Sequence, residues 1–178
     1  MENVIYREIE ENELNLGLFA GFIRRQVVGK CLRRERGAWV VKDDPFVDDW
    51  SEKDYEFLVS CLKNTLATGG LVYGAFAEGT LKGFCSVEAQ PFGREDQYLD
   101  LTSIHVSAEL RGQGVGRVLF AEAKTWAKSK GAKKLYISAH SAVETQAFYR
   151  AMGCADAEEY NERHVQAEPF DCQMECSL

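Results

Sequence analysis

RGQGVG, residues 111–116, follows a stretch typical of a strand, YLDLTSIHV (98–106), and opens a segment whose apolar residues have helical spacing (112–130). A further strand is predicted at 134–139. These elements form one βαβ unit, in which the two strands are parallel and the crossover is right-handed. Ligands of such sheets bind beyond the carboxyl ends of the strands, which is where this loop lies.

The three glycines of the loop indicate a close approach between backbone and ligand. Gly112, Gly114 and Gly116 carry no side chain, and the first N–H groups of a helix have no partner within it and lie at the positive end of its dipole. Arg111 and Arg117 add positive charge, so the loop predicts an anion site, most simply for phosphate. A tight turn alone would need only one or two glycines.

The spacing of the glycines argues against two other phosphate sites. It is G-x-G-x-G rather than G-x-G-x-x-G, and no acidic residue follows the next strand to hold a ribose, as a dinucleotide site requires. No Gly-Lys-Ser/Thr follows, so the loop is not the phosphate-binding P-loop (Walker A motif) of nucleoside triphosphatases.

The rest of the chain predicts an α/β (α+β) domain with a mixed sheet of about six to seven strands and flanking helices, formed by residues 1–178 as one unit. Apolar residues at helical spacing predict a first helix from Asn15 to about Arg34. Ser51 and Asp54 form a capping box for a second helix that ends at Gly69. The later elements are a hairpin (71–92), a short helix (141–153) and two terminal strands (154–178). For the short helix, Ser141 and Glu144 form a capping box and Gly153 ends the helix.

Composition excludes several classes of protein. The formal net charge of −7 is unfavourable for a nucleic-acid partner, because that affinity depends on Lys and Arg. No apolar run is long enough to cross a membrane and the first residues do not resemble a signal peptide, so we expect a cytoplasmic protein without a membrane partner. The six cysteines form no C-x-x-C motif and have no histidine at metal-ligand spacing, so we expect reduced thiols and no metal.

Two segments together resemble a known family. VSAELRGQGVGRVLF (106–120) and FYRAMGC (148–154) are similar to the two signature segments of the GNAT superfamily of acyl-CoA-dependent N-acetyltransferases. The first motif of that superfamily, R/Q-x-x-G-x-G/A, is filled by Arg111, Gly114 and Gly116, and the second ends in a tyrosine on a short helix. The order of elements from about residue 71 to 153 also resembles the GNAT fold.

The resemblance implies a site for acetyl-CoA as cosubstrate. The backbone N–H groups of the loop would hold its pyrophosphate, and the end of the preceding strand would bind its pantetheine arm. The residues implied are Ile104, His105, Val106, Arg111, Gly112, Gln113, Gly114, Val115, Gly116 and Arg117. The family often has an Asn seven residues before the tyrosine, where this chain has Ala142, so a side-chain contact to the cofactor is missing or comes from Ser141 or Thr145.

Acyl transfer to an amine needs a proton donor for the departing thiolate and a base for the amine. The resemblance places Tyr149 beside the thioester sulfur, and a phenol, with an ordinary pKa of about 10, is a proton donor at neutral pH. Glu88 and Asp100 are the two candidate bases, acting directly or through a water. Strand alternation places His105 on the opposite face from Asp100 unless a bulge intervenes, so a structural role is favoured for it.

The predicted function is therefore direct transfer of acetyl from acetyl-CoA to a primary amine, on a small molecule or a peptide, in a ternary complex. The alternative is a CoA-binding sensor or interaction module without catalysis. An acyl-cysteine route through Cys85 or Cys154 is disfavoured because no histidine is arranged beside either. The seven carboxylates between Asp43 and Glu56 are a second candidate feature: they either attract a cationic amine or form a solvated segment. A homodimer is possible, because terminal strands in this family often pair across dimers.

Overall fold

The computed structural model describes residues 3–178 and contains a seven-stranded mixed sheet, a separate two-stranded hairpin and four α-helices. The strands are β1 (Val4–Glu8), β2 (Arg25–Glu35), β3 (Ala38–Asp49), β4 (Leu71–Ala77), β5 (Thr80–Val87), β6 (Tyr98–Val106), β7 (Lys134–Ala139), β8 (Ala155–Asp156) and β9 (Cys172–Ser177). The helices are α1 (Glu52–Ala67), α2 (Val115–Ser129), α3 (Val143–Ala151) and α4 (Glu162–Ala167).

The large sheet has the order β1-β4-β5-β6-β7-β9-β8. Its β6–β7 pair is parallel and all its other pairs are antiparallel, as expected for strands joined by the α2 crossover. This confirms the predicted mixed sheet and the βαβ unit.

The two faces of the sheet bury different cores. On one face, which we call the α2 face, the strands pack against α2 and α3 through residues such as Leu99, Leu119 and Tyr149. On the other face, the α1 face, β4 and β5 pack against α1, with Leu62 and Phe84 at the centre. The second half of the α1 face, over β6, β7 and β9, is covered by the segment 157–171, which includes α4.

The predicted helix from Asn15 to Arg34 is wrong. A 3-10 turn forms at Leu16–Phe19, and the chain then enters β2, which pairs antiparallel with β3. Ile23 and Val27, placed on the apolar stripe of that helix, are exposed, whereas Val28 and Cys31 are buried. The apolar spacing is helical, but the long antiparallel pairing with β3 overrides this local signal.

Of the two capping boxes predicted for the other helices, one forms and one does not. Ser51 and Asp54 form the expected reciprocal capping box of α1. The capping box at Ser141 is wrong, because α3 begins after Ala142, which makes no side-chain cap, and the Ser141 hydroxyl accepts instead from Arg33. Strand β1 and helix α4 were not predicted.

Two further features are the state of the cysteines and the apolar character of the helices. All six cysteines are free, and five are buried. Within residues 3–178, no helix has the length and apolar character needed to span a bilayer.

Candidate functional site

The RGQGVG loop forms an open cradle of backbone N–H groups. Gly112 and Gly114 have positive φ angles of 75° and 88°, which bring the chain into the first turn of α2. Within the described chain, the N–H groups of residues 112–116 donate to no protein acceptor. A Cβ added at Gly112 or Gly114 would meet nothing within 4 Å. The cradle therefore offers unsatisfied donors at a helix N-terminus, which suits an anion.

Three arginines surround this cradle in different ways. The Arg111 guanidinium donates to the carbonyls of Val106 and Arg25, so it fastens the start of β2 to the end of β6. Arg117 is exposed and lies at the cavity beside the loop. Arg24 pairs with Asp48 at 2.5 Å and lies over the Trp50 ring, but its Nε is buried without a partner among the residues described.

A cavity of about 610 Å³ extends from the loop between β6 and α3. The residues at its wall come from the start of β2, the end of β6, the glycine loop and α3. Those among the sequence-predicted site residues are Ile104, His105, Val106, Arg111, Gly112, Gly114, Gly116, Arg117, Thr145 and Tyr149. The others lie elsewhere: Gln113 turns back to the Glu109 carbonyl, Val115 is buried in the core, and Ser141 is buried beside Arg33.

The two parallel strands separate beside this cavity. Strands β6 and β7 pair only at Tyr98, Leu99 and Asp100, although β6 continues to Val106 and β7 to Ala139. Beyond Asp100 each strand therefore presents a backbone edge to a gap between them. An extended amide-containing chain could complete such an edge with strand-like hydrogen bonds.

A bulge in β6 sets which side chains face the gap. The β5–β6 register shifts between Ser86 and Val87, which leaves Thr102 without a register partner in β5, although its hydroxyl bonds to that of Ser86. After this bulge His105 lies on the α1 face, the same face as Asp100, so strict alternation gave the wrong face for this residue. The His105 ring packs against Trp50 and Phe84, with centroids 4.8 and 5.4 Å away. Burial and the nearby guanidiniums of Arg24 and Arg111 lower the pKa of His105 to about 3, so the ring is neutral.

Tyr149 lies on α3 at the wall of the cavity and is 6% exposed. Its ring packs edge-on against Phe120 and Phe148. Burial raises the pKa of Tyr149 above its ordinary value, so the phenol keeps its proton at neutral pH. The residue thus combines a fixed ring with a retained proton.

The two candidate carboxylate bases lie side by side on the α1 face but have different partners. The Glu88 backbone N–H donates to the Asp100 carbonyl, while the Glu88 carboxylate accepts from Thr65 on α1 at 2.5 Å. Asp100 lies one strand nearer the gap, and its Oδ2 is 2.6 Å from Nε2 of His164 on α4. Burial isolates the other oxygen of Asp100, which has no partner among the described residues.

Polar side chains continue across β7 and β9 on the same face. Ser138 donates to Asp171 at 3.0 Å and accepts from Gln173, and Gln173 also accepts from the Tyr136 hydroxyl. Asp171 and Gln173 line a second cavity of about 280 Å³ between the β2–β3 hairpin and the segment 160–173. Ser138 lies on the stretch of β7 that does not pair with β6, so its hydrogen bond to Asp171 links the wall of this cavity to the gap.

The acidic segment between Asp43 and Glu56 is not a loop between helices. Its first four acidic residues lie on β3, and the other three lie in the first turns of α1. Asp48 pairs with Arg24, Asp44 with Arg33, and Asp54 caps α1 through Ser51. Much of its charge is therefore already compensated within the fold.

Comparison with known proteins identifies the family to which this chain belongs. The model of the acetyltransferase (GNAT) family matches residues 34–154, more than half of the chain. The chain belongs to the GNAT acetyltransferase family. Its mixed sheet of seven strands with four flanking helices is the fold of the similar GNAT structures. No curated protein sequence matches the chain.

Several solved structures are similar over nearly the whole length of this GNAT chain. Nourseothricin acetyltransferase has 17% identity and a TM-score of 0.72, with 98% of each chain covered. A putative streptothricin acetyltransferase from Bacillus anthracis, in complex with acetyl coenzyme A, has 19% identity and a TM-score of 0.72, with 99% of each covered. PaiA N-acetyltransferase from Thermoplasma acidophilum, in complex with coenzyme A, has 17% identity and a TM-score of 0.61, again with 99% of each covered.

Sequence reasoning missed several residues of this GNAT site. Arg24, just before β2, and Gln26 and Val27 of β2 line the larger cavity, and the prediction of a helix there hid them. His164 was missed because its partner Asp100 is 64 positions away and no local pattern links them. Within residues 3–178, no cluster of three or more His, Cys, Asp or Glu side chains could hold a metal ion.

Proposed function

We propose that the protein is an N-acetyltransferase that moves the acetyl group of acetyl-CoA directly to a primary amine in a ternary complex. The observation that carries this proposal is the continuity of the larger cavity. It runs from the free N–H groups of residues 112–116 to the end of β6, beside the β6–β7 gap, with Tyr149 at its wall.

The residues present fit the shape and charge of acetyl-CoA. The N–H groups of the loop, with Arg117 at the cavity wall, suit a pyrophosphate. The edge of β6 from Ile104 through His105 to Val106 suits the amides of a pantetheine arm, although the Val106 carbonyl already accepts from Arg111. When bound, acetyl-CoA supplies an acetyl group activated as a thioester. Of the two side chains considered in place of the missing Asn, Thr145 lies at this cavity and Ser141 does not.

Tyr149 is the proposed proton donor to the departing sulfur. The phenol is held by two aromatic neighbours and keeps its proton because burial raises its pKa. A donor fixed in this way protonates the thiolate as it forms, without reorganisation.

The amine is proposed to lose its proton on the α1 face, beside Asp100 rather than beside Glu88. Asp100 belongs to the last paired position before the gap, whereas Glu88 lies one strand further away with its carboxylate bound to Thr65. The smaller cavity is the proposed site of the acceptor on this side, because Asp171 in its wall accepts from Ser138 of β7 and suits an ammonium group.

Direct transfer is favoured over an acyl-cysteine route. Cys85 is buried and donates to the Leu119 carbonyl, and burial raises the pKa of its thiol to about 12. A thiol with that pKa is a poor nucleophile at neutral pH.

The proposal is tested by incubating the protein with acetyl-CoA and separate amines: tyramine, spermidine, L-lysine, a lysine-containing peptide and nourseothricin. Nourseothricin is included because the acetyltransferase named for it has a similar fold. The expected result is amine-dependent release of free thiol together with a mass gain of one acetyl group on the amine. Binding of acetyl-CoA without transfer to any of these amines would contradict the proposal and favour the CoA-binding module.

A further inference from the structure

A histidine and an aspartate meet at the mouth of the gap between β6 and β7. His164 Nε2 lies 2.6 Å from Asp100 Oδ2, and the His164 ring stacks on Tyr136, with centroids 5.9 Å apart and planes at 21°. Asp100 and Tyr136 are the last paired residues of β6 and β7. His164 therefore sits over the point where the strands separate.

The burial of Asp100 determines which nitrogen of His164 carries the proton. The residue is 9% exposed, and its Oδ1 is buried with no partner in the described part of the chain. A buried carboxylate is costly unless a hydrogen bond or an opposite charge compensates it. Asp100 therefore holds the proton of His164 on Nε2, which leaves Nδ1 as the nitrogen able to accept another.

The groups around His164 favour a charged ring. Asp100 faces it from β6, the neutral Tyr136 from β7, and Asp171 acts on it from the segment before β9. The hydrogen bond and charge of Asp100, with a contribution from Asp171, raise the pKa of His164 above its ordinary value despite the cost of burial. About a quarter of the side chain, 27%, stays exposed, so a proton taken up can leave to solvent.

His164 and Tyr149 flank the gap from opposite faces. Tyr149 belongs to the core of the α2 face, and His164 covers the α1 face. Tyr149 lies in the wall of the larger cavity beside this gap, and His164 contacts Asp100 at the last paired position before the gap. A proton acceptor and a proton donor thus lie on either side of one opening.

We propose that His164 is the proton acceptor for the attacking amine and that Asp100 is the residue that positions its ring. This inference rests on the proposed acetyltransferase function. The amine nitrogen bonds to the acetyl carbon while the carbon–sulfur bond breaks. Of the two protons that the ammonium nitrogen loses in becoming an amide, one restores the proton that Tyr149 gives to sulfur, and the other passes to Nδ1 of His164 and then to solvent.

The activity test compares two variants with the wild type, using the most efficiently acetylated of the five amines named above. His164→Gln keeps a donor for Asp100 but has no basic nitrogen, and it should lower kcat/KM by about 100-fold or more. Arg163→Gln, an exposed neighbour on α4, is the matched control and should change kcat/KM less than twofold. Affinity for acetyl-CoA should be unchanged in both.

The pH profile separates a catalytic role from a structural one. For the wild type, kcat/KM should rise with pH through an inflection above about 6.5, because a raised pKa keeps His164 protonated to higher pH. Asp100→Asn removes the charge that raises the pKa of His164, so the inflection should move to lower pH. A His164→Gln protein with turnover within threefold of the wild type and an unchanged profile would overturn the inference.

NMR of the imidazole nitrogens tests the pair without any acceptor. The inference predicts that neutral His164 carries its proton on Nε2 and titrates above about 6.5, with a lower value in Asp100→Asn. A proton on Nδ1, or a titration that ignores Asp100→Asn, would overturn the inference. A wild type that acetylates none of the amines would instead contradict the proposed function, which keeps the two failures distinct.

Discussion

The two faces of the sheet meet at the β6–β7 gap and use different parts of the chain for their chemistry. On the α2 face the site is mainly backbone: the N–H groups of residues 112–116 and the free edge of β6. On the α1 face the site is made of side chains that come from distant positions, such as Asp100 with His164 and Ser138 with Asp171. We propose that the first face holds the cofactor; the arrangement of the second depends on how the segment 157–171 covers the sheet.

This difference predicts how each face responds to mutation. A backbone site is damaged by adding atoms to it, because its donors carry no side chain that could be removed. A side-chain site is damaged by removing or neutralising single groups. Tyr149, in the wall of the larger cavity beside the gap, should show the largest effect of any one substitution.

Replacing Tyr149 by Phe should lower kcat by about 100- to 10,000-fold, the range for loss of a positioned acid. The ring keeps its contacts with Phe120 and Phe148, so the acetyl-CoA dissociation constant should change little. Steady-state kinetics and calorimetric titration with acetyl-CoA measure the two quantities.

Tyr6→Phe is the control for this substitution, since Tyr6 lies on β1, outside the cavity wall. Equal turnover of Tyr149→Phe and Tyr6→Phe would show that the phenol supplies no proton.

Replacing Gly114 by Ala should weaken acetyl-CoA binding by about tenfold, because the new methyl group sits at the N-cap of α2, among the free N–H groups. Both Gly114 and Gly131 have φ of +88° and open space where a Cβ would be. Gly131→Ala, beyond the last turn of α2, therefore carries the same backbone strain of about 1–2 kcal/mol without touching the cradle.

The two variants should lose similar thermal stability, and only Gly114→Ala should lose cofactor affinity. Equal affinity in both variants would mean that the cradle does not bind the cofactor. Calorimetric titration with acetyl-CoA and thermal melts without ligand supply both readouts.

The same contrast explains what the sequence could predict. From β4 to α3, the strand alternation, the turns and the glycines that end the helices are local signals, and the sheet, the βαβ unit and the fold family follow from them. The hairpin could not be found in this way, because the apolar residues from Leu16 to Cys31 fit helical spacing and only pairing with β3 shows otherwise. The face of His105 depended on a bulge opposite Ser86 and Val87, and the partner of Asp100 on the path of residues 157–171.

Replacing Arg24 by Gln should raise the acetyl-CoA dissociation constant by a factor of about three to ten, the loss of one charged contact. The guanidinium is largely buried at the cavity and its Nε lacks a partner in the described chain. Arg33→Gln is the matched control, since Arg33 also pairs with an aspartate of β3, Asp44, but lines the smaller cavity. An equal change in both would indicate a general effect of the hairpin.

The smallest expected effect is the pH dependence of stability from the Asp100–His164 pair. A histidine with a raised pKa stabilises the fold below its ordinary pKa of about 6.5, and this contribution is lost as pH rises through the folded-state pKa. Asp100→Asn should therefore cost about 0.5–1 kcal/mol more at pH 6 than at pH 9, a modest value because His164 is partly exposed. Urea unfolding at the two pH values checks this, and a larger cost at pH 9 would contradict the assigned partner.

The most direct measurement is a thermal melt of the wild type with acetyl-CoA, free CoA, NAD or ATP at matched concentrations. A ligand at about 100 times its Kd stabilises the fold by about 2.7 kcal/mol, or roughly 5–11 °C for a chain of this size. A rise in Tm with acetyl-CoA and CoA alone is the predicted result. No rise with either, or a larger one with NAD or ATP, would contradict the assignment of the RGQGVG loop to coenzyme A.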